Sequence, residues 1–416
     1  MASLRQIGNL GQLLPYGLGS GSALRAEGDI PGRAVLRGIM RDDMRKTAFV
    51  LLALAGAGVA DDRAARTDDI FSALAGTRSP GAAVLVRQDG RTVFARGYGV
   101  AELRHFRPID AATDFRLASC TKQFTAMAIM LLVHDGKLKF ESRLTEIFPE
   151  FPAYGRAVTI RHLLSHTAGL PDYEDLMDQA GKKWTATDQI QDAEVLQLLE
   201  REPRPKFAAG EGWSYSNSAY VVLGLIVAKV SGEPFPRFLE RRIFGPLKMR
   251  GTLAYVKGGA EPPNRAFGHS KRGGELIETD QSSTSATLGD GGVYSNLDDL
   301  AKWDQTLAAH SLLSEDEMRP AWTPARLASG AEPHWPAAPG GDNLAPGKPV
   351  SYGFGWFLDP YTGRSRTWHT GTTMGFRNAI ERFTKDKITV VVLSNRADQD
   401  ANALTLRAAE VWLPPR

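Results

Sequence analysis

Ser119-Cys120-Thr121-Lys122 sets a hydroxyl and an amine three residues apart, a spacing that puts both on one face of a helix. A serine hydroxyl becomes a nucleophile when a neighbouring base takes its proton, and a lysine seated on an apolar helix is expected to lose charge through desolvation. With 23 Ser and 15 Lys in the chain, about one S-x-x-K is expected by accident, so the string alone is weak. Its placement is more telling. Ser119 heads a stretch that is apolar nearly all round, runs to His134 and stops at Gly136, the pattern of a buried helix. Free backbone N–H groups and the positive dipole end at such a helix start favour a developing oxyanion. The bland alternative is a serine N-cap with a snorkelling lysine. Cys120 offers a thiol, but it is offset by two from Lys122 and reads better as a small buried residue.

Two further groups could complete such a site. Tyr215-Ser216-Asn217 follows Gly210-Glu211-Gly212-Trp213: a tyrosine hydroxyl can relay a proton to a leaving group, and an asparagine amide can orient a carbonyl. Tyr294-Ser295-Asn296 repeats the triplet, and Ser and Asn are also good N-caps, so pattern alone does not choose between the copies. His369-Thr370-Gly371 closes an expected strand, where edge N–H groups could supply a second oxyanion donor. His134-Asp135-Gly136 has the same spacing but reads as a helix end with a glycine cap. His162 and His166 are four apart, yet no acidic base lies between them and Gly169-Leu170-Pro171 ends that helix, so no metal is inferred. G-x-S-x-G, H-E-x-x-H and G-x-x-x-x-G-K-[ST] are all absent.

The elements that must position these residues follow a strand–helix–strand plan. Ala82 to Val86 and Thr92 to Gly97 are β-prone runs joined by Gln88-Asp89-Gly90, a hairpin signal. From about 141 to 284 the pattern is helical: Thr159 to Ser165, Ala193 to Arg201, Ser218 to Val230 and Pro236 to Arg242. The stretch 312–350 is rich in Pro, Ala and Gly and reads as a surface excursion. Strand patterns return at Ser351 to Leu358, Arg366 to His369, Gly375 to Phe383 and Ile388 to Ser394, before a helix over about 399–412. The expected fold is therefore α/β in content and α+β in layout. One antiparallel sheet is formed from both termini and flanked by helices, with a mostly helical lobe inserted.

The formal charge of +3 lies wholly in residues 1–60, and the body from 61 onward is neutral, which argues against a nucleic-acid partner. A single cysteine excludes an intramolecular disulfide. Met44-Arg45-Lys46, the apolar run Thr47 to Val59 and Gly58-Val59-Ala60 make a secretory signal peptide (44–60), too short to span a bilayer. Residues 1–43 then read as an over-extended start, 61–416 as the hydrolase domain, and the location as periplasmic or secreted, with membrane contact only through the export signal.

With these elements in order, residues from about 70 to the C-terminus resemble the serine β-lactamase and penicillin-binding superfamily, in its class C-like branch of DD-peptidases and carboxylesterases. Ser119-x-x-Lys122 matches the nucleophile motif and His369-Thr370-Gly371 the K/H-[ST]-G motif. The resemblance also selects Tyr215-x-Asn217, because it opens an apolar helix, whereas Tyr294 sits in a segment like the family's Gly-rich structural one. Leu163 to Leu170 is similar to a further hallmark that is structural. What the resemblance implies is a two-step acyl transfer on Ser119. Lys122 and Tyr215 would move protons, the N–H groups of Ser119 and Thr372 would hold the oxyanion, and Asn217, Thr370 and Gly371 would border the substrate. It implies no cofactor and a small-molecule or peptide substrate. His369 departs from the lysine of most such β-lactamases; a histidine is largely neutral at pH 7. That favours an esterase, DD-peptidase or D-amino-acid amidase over a β-lactamase. Arg366 or Arg377 could replace the missing cation, although a solvated surface role suits either better. A non-catalytic penicillin-binding sensor is the other alternative.

Overall fold

A computed structural model describes residues 62–337 and 344–415. The expected leader, residues 1–43 before it and the middle of the 312–350 stretch lie outside the described residues. Helix α1 (62–71) leads into β1 (Ala82–Gln88) and β2 (Arg91–Tyr98). Asp89 and Gly90 between these strands both have positive φ, the backbone of the tight hairpin that the sequence predicts. Then come β3 (Phe115–Arg116), a 3₁₀ turn (Ala118–Thr121) and α2 (Lys122–His134). The inserted lobe carries α3 (Leu144–Ile147), α4 (Ile160–Leu164), α5 (Tyr173–Gln179), α6 (Asp192–Arg201), α7 (Asn217–Ser231) and α8 (Phe235–Leu239). It also contains three short strands not foreseen: β4 (Leu253–Ala254), β5 (His269–Arg272) and β6 (Glu275–Glu278). After β7 (Val293–Ser295), α9 (Leu297–Ala309) and α10 (Glu315–Met318), the chain closes with β8 (Thr367–Thr373), β9 (Phe376–Phe383), β10 (Ile388–Ser394) and α11 (Ala401–Trp412).

The main sheet has the order β2-β1-β10-β9-β8 and is antiparallel throughout, so strands from both termini share it as expected. Its central strands are covered on both faces, which explains why β1 and β10 read as continuous apolar runs. Ala82, Val84 and Val86 of β1, with Ile388, Val390 and Val392 of β10, face a core shared with α11. The alternate residues Ala83, Leu85, Val391 and Leu393 face the larger core, built with α2, α7 and α9. One edge is left for β8, the strand that carries His369-Thr370-Gly371.

Two sequence expectations change here. Ser351 to Leu358 forms no strand; Tyr352 bridges Phe357 and Phe357 bridges Trp368, around a turn where Gly355 has φ +80°. Its apolar alternation comes from packing on several sides rather than from a ladder. The strand expected to end at His369 instead runs on to Thr373, so the His-Thr-Gly triplet lies inside β8, paired to Ile380, Ala379 and Asn378 of β9.

Candidate active site

The helix expected to begin at Ser119 starts as a 3₁₀ turn and becomes α-helical at Lys122. In a 3₁₀ turn residues i and i+3 eclipse, and Lys122 Nζ lies 3.1 Å from Ser119 Oγ. Ala118, immediately before the serine, is held at φ +50°, a left-handed conformation costing about 1–3 kcal/mol for a non-glycine residue. That kink is clamped by β8. A Cβ on Gly371 would stand 2.0 Å from the carbonyl oxygen of Leu117, so only glycine lets the strand pass this close.

Lys122 is fully buried. Its Nζ donates to Asn217 Oδ1 at 2.8 Å and to the Asp290 carbonyl at 3.0 Å, besides its contact with Ser119. Each partner is fixed by local structure. Asn217 opens α7, whose N-cap Ser216 accepts from Ala219 N–H. The Asp290 segment is tied to α2, as Thr125 Oγ1 donates to the Gly289 carbonyl and Val293 N–H donates to Thr121 Oγ1. Lys122 Nζ also lies over the Tyr215 ring, 4.8 Å from its centre.

His369 is buried beside this group. Its Nε2 is 3.2 Å from the Tyr352 hydroxyl and its Nδ1 is 2.6 Å from the Thr370 carbonyl. Burial, reinforced by the nearby Lys122 charge, pushes its pKa down to about 3, so it is neutral at physiological pH. Neither arginine supplies a cation here, and neither is a solvated surface group. Arg366 is buried, ion-paired with Asp359 and 3.4 Å from the Glu381 carboxyl group. Arg377 donates to the carbonyls of Thr373 and Phe376 and is half-buried. Cys120 is fully buried and burial drives its thiol pKa upward, the opposite of a reactive thiolate.

Two clefts flank Ser119. The first, about 40 Å³, is aromatic, lined by Tyr215, Trp335, Leu344, Phe357, His369, Thr370 and Thr372. The second, about 60 Å³, is polar, with Tyr173, Glu174, Asn217, Asp290 and Arg116 around Ser119. The sequence singled out no residue of the Tyr352, Phe357 and Trp335 cluster; the Tyr-Gly-Phe-Gly-Trp-Phe run at 352–357 was a usable signal, since such aromatic density is rare outside a core or a site. Asp290 was missed because it contributes through a backbone carbonyl, which no residue type announces.

The competing motifs fall elsewhere. Tyr294 is buried, and Asn296 caps α9 while donating to Asp114, so that triplet is structural. His134 ends α2 and Gly136 has φ +68°. His162 Nδ1 accepts from Thr159 N–H. His166 Nδ1 accepts from Ser216 N–H, its ring is 4.5 Å from that of Tyr215, and it thus braces the Tyr215-Ser216-Asn217 turn.

Residues 67–411 match the family model described as Beta-lactamase. The chain is 33% identical over 344 residues to Penicillin-binding protein 4* of Bacillus subtilis, covering 79% of this chain and 71% of that protein. It is 36% identical over 200 residues to Esterase EstB of Burkholderia gladioli, covering 45% of this chain and 50% of the esterase. The D-amino acid amidase of Ochrobactrum anthropi SV3 has a similar fold, with a TM-score of 0.68 at 23% identity, covering 84% of this chain and 98% of the amidase.

Proposed function

The chain belongs to the β-lactamase family of serine-type hydrolases, and on that premise we propose that it cleaves a small ester or amide through an acyl-enzyme on Ser119. The observation that carries this reading is the 3.1 Å approach of Lys122 Nζ to Ser119 Oγ in a fully buried seat. As a neutral amine Lys122 has two N–H donors, which Asn217 Oδ1 and the Asp290 carbonyl accept, and a lone pair that can face the serine hydroxyl. Lys122 takes the Ser119 proton, Oγ attacks the carbonyl carbon, and negative charge develops on the carbonyl oxygen. Ser119 lies in the first turn of its helix, where N–H groups lack intrahelical partners; its N–H and that of Thr372 on β8 are the oxyanion donors. Tyr215 passes the proton to the leaving group, Asn217 and Thr370 orient the substrate, and water then releases the acyl group.

The substrate follows from the two clefts. A neutral His369 offers no fixed cation for a substrate carboxylate, which disfavours β-lactams and favours an uncharged ester or amide. The aromatic cleft is small and suits a short acyl group. A second reading, a D-amino-acid amide or peptide, is favoured by the polar cleft. There two carboxylates, Glu174 and Asp290, outnumber Arg116, and Asp290 Oδ1 is buried without a hydrogen-bond partner, an acceptor suited to an ammonium group.

Labelling with a fluorophosphonate probe followed by intact-mass measurement tests the nucleophile. One covalent adduct on the native chain and none on Ser119→Ala is expected; equal labelling of both would sink the reading. A lasting adduct with a β-lactam, without turnover of any ester or amide, would instead indicate a sensor. Comparing p-nitrophenyl acetate with D-phenylalanine p-nitroanilide separates the two substrate readings. We also propose export through residues 44–60, resting on their apolar run; the secreted protein should begin near Asp61.

A further inference from the structure

A cavity of about 820 Å³ shares no lining residue with either cleft beside Ser119. It lies where the β9–β10 turn, the C-terminal half of α9 and the 358–360 segment meet. Its volume falls in the range of small-molecule sites, and Leu307, Trp322, Pro324 and Leu358 give it apolar walls.

The polar floor is unbalanced in charge. Asp304 accepts from Arg87 Nη1 at 2.6 Å, Arg382 Nε at 2.8 Å and Thr389 Oγ1 at 2.8 Å, so one carboxylate serves two guanidinium groups. Arg87 is further engaged by the carbonyls of Ala301 and Gly90 and by Gln305 Oε1. Arg366 on the wall is ion-paired with Asp359, and Glu315 and Lys387 add one charge of each sign to the lining. Arg382 differs. It is only 5% exposed, only its Nε is hydrogen-bonded, and neither Nη atom has an acceptor among the described residues. Its guanidinium sits 5.9 Å from the centre of the Trp322 ring, which holds it against the apolar wall. A buried guanidinium with two unused donors is a ready fork for a carboxylate.

We propose that this cavity is a binding site for a small amphipathic monocarboxylate, with Arg382 taking the head group and the walls formed by Leu307, Trp322, Pro324 and Leu358 taking the apolar body. The proposal does not depend on the chemistry at Ser119.

Calorimetric titration of the Ser119→Ala protein with octanoate tests it, because that variant removes turnover. Octanoate is expected to bind with a dissociation constant of about 1 mM or tighter, and octanol at least about tenfold more weakly. Arg382→Gln should weaken octanoate binding at least about tenfold. Since that substitution also breaks the pair with Asp304, Ala308→Trp provides a second arm: Ala308 is exposed on α9 and lines the cavity, so the indole fills the space and leaves the ion network intact. In an otherwise native background Ala308→Trp should keep ester hydrolysis, and on the Ser119→Ala background it should abolish octanoate binding. No octanoate binding up to about 10 mM, octanol binding as tightly as octanoate, or undiminished binding in Ala308→Trp would each overturn the proposal.

Discussion

A charge-reading residue has to be charged where it stands, and His369 is not. Burial and the neighbouring Lys122 hold its pKa near 3, so it stays neutral from mildly acidic to alkaline pH and acts as a hydrogen-bonding spacer between Tyr352 and the strand. His369→Lys is therefore expected to raise kcat/KM for a carboxylate-bearing cephalosporin relative to a neutral ester by about tenfold, the order of one charge-assisted hydrogen bond. An unchanged ratio would show that the anion-binding role lies elsewhere. The identity of this residue was legible in the sequence, and so was its neutrality. Its burial was not, because that depends on Phe357 and Tyr352 arriving from a segment whose conformation has no local signature.

The element that shapes the site is a turn, not a helix. The apolar run from Ser119 to His134 made a helix easy to foresee, but the 3₁₀ start and the strained Ala118 come from packing against β8, a contact between residues some 250 positions apart. Gly371 is the contact point. Gly371→Ala would force its new Cβ to within 2.0 Å of Leu117 O, so β8 or the turn must move by more than a bond length's tolerance. Ester hydrolysis should fall by about 100-fold or more, because an ångström of misplacement at a nucleophile costs that much. The folded fraction, followed by far-UV circular dichroism, should change far less. Parallel loss of fold and activity would mean that Gly371 serves only stability. Likewise the duplicate Tyr-Ser-Asn triplets were indistinguishable as strings; what separates them is that Asn217 faces Lys122 while Asn296 faces Asp114.

Over the whole molecule, buried ionisable groups set the response to pH. Burial above all, with Asp359 adding and Arg366 opposing, pushes Glu381 up to about 8, and burial likewise raises Asp192 to about 8. Both keep a proton in the folded chain that the unfolded chain releases above about pH 4.5, so their stabilising contribution is lost as pH rises through 8. His369 acts in the other direction: unfolded it takes up a proton near 6.5, folded only near 3, so its contribution is lost as pH falls below about 6.5. Between about pH 6.5 and 8.5 the acids alone act, and Tm should decline there. Glu381→Gln should flatten that decline; an unaltered slope would mean that Glu381 is ionised when folded. The two-terminus sheet and the inserted lobe were readable from strand and helix periods, since those patterns are local. The charge-bearing interior was not, because Arg366 meets Glu381, and Arg382 meets Asp304, only through tertiary packing.

The central claim is that turnover passes through an ester of Ser119. Rapid acid quenching of the enzyme during hydrolysis of p-nitrophenyl butyrate, followed by intact-mass and peptide analysis, examines it directly. The chain should gain one butyryl group, located on the peptide containing Ser119, and lose it once substrate is exhausted. Sustained turnover with the acyl group on another residue, or with Ser119→Ala as active as the native chain, would contradict it.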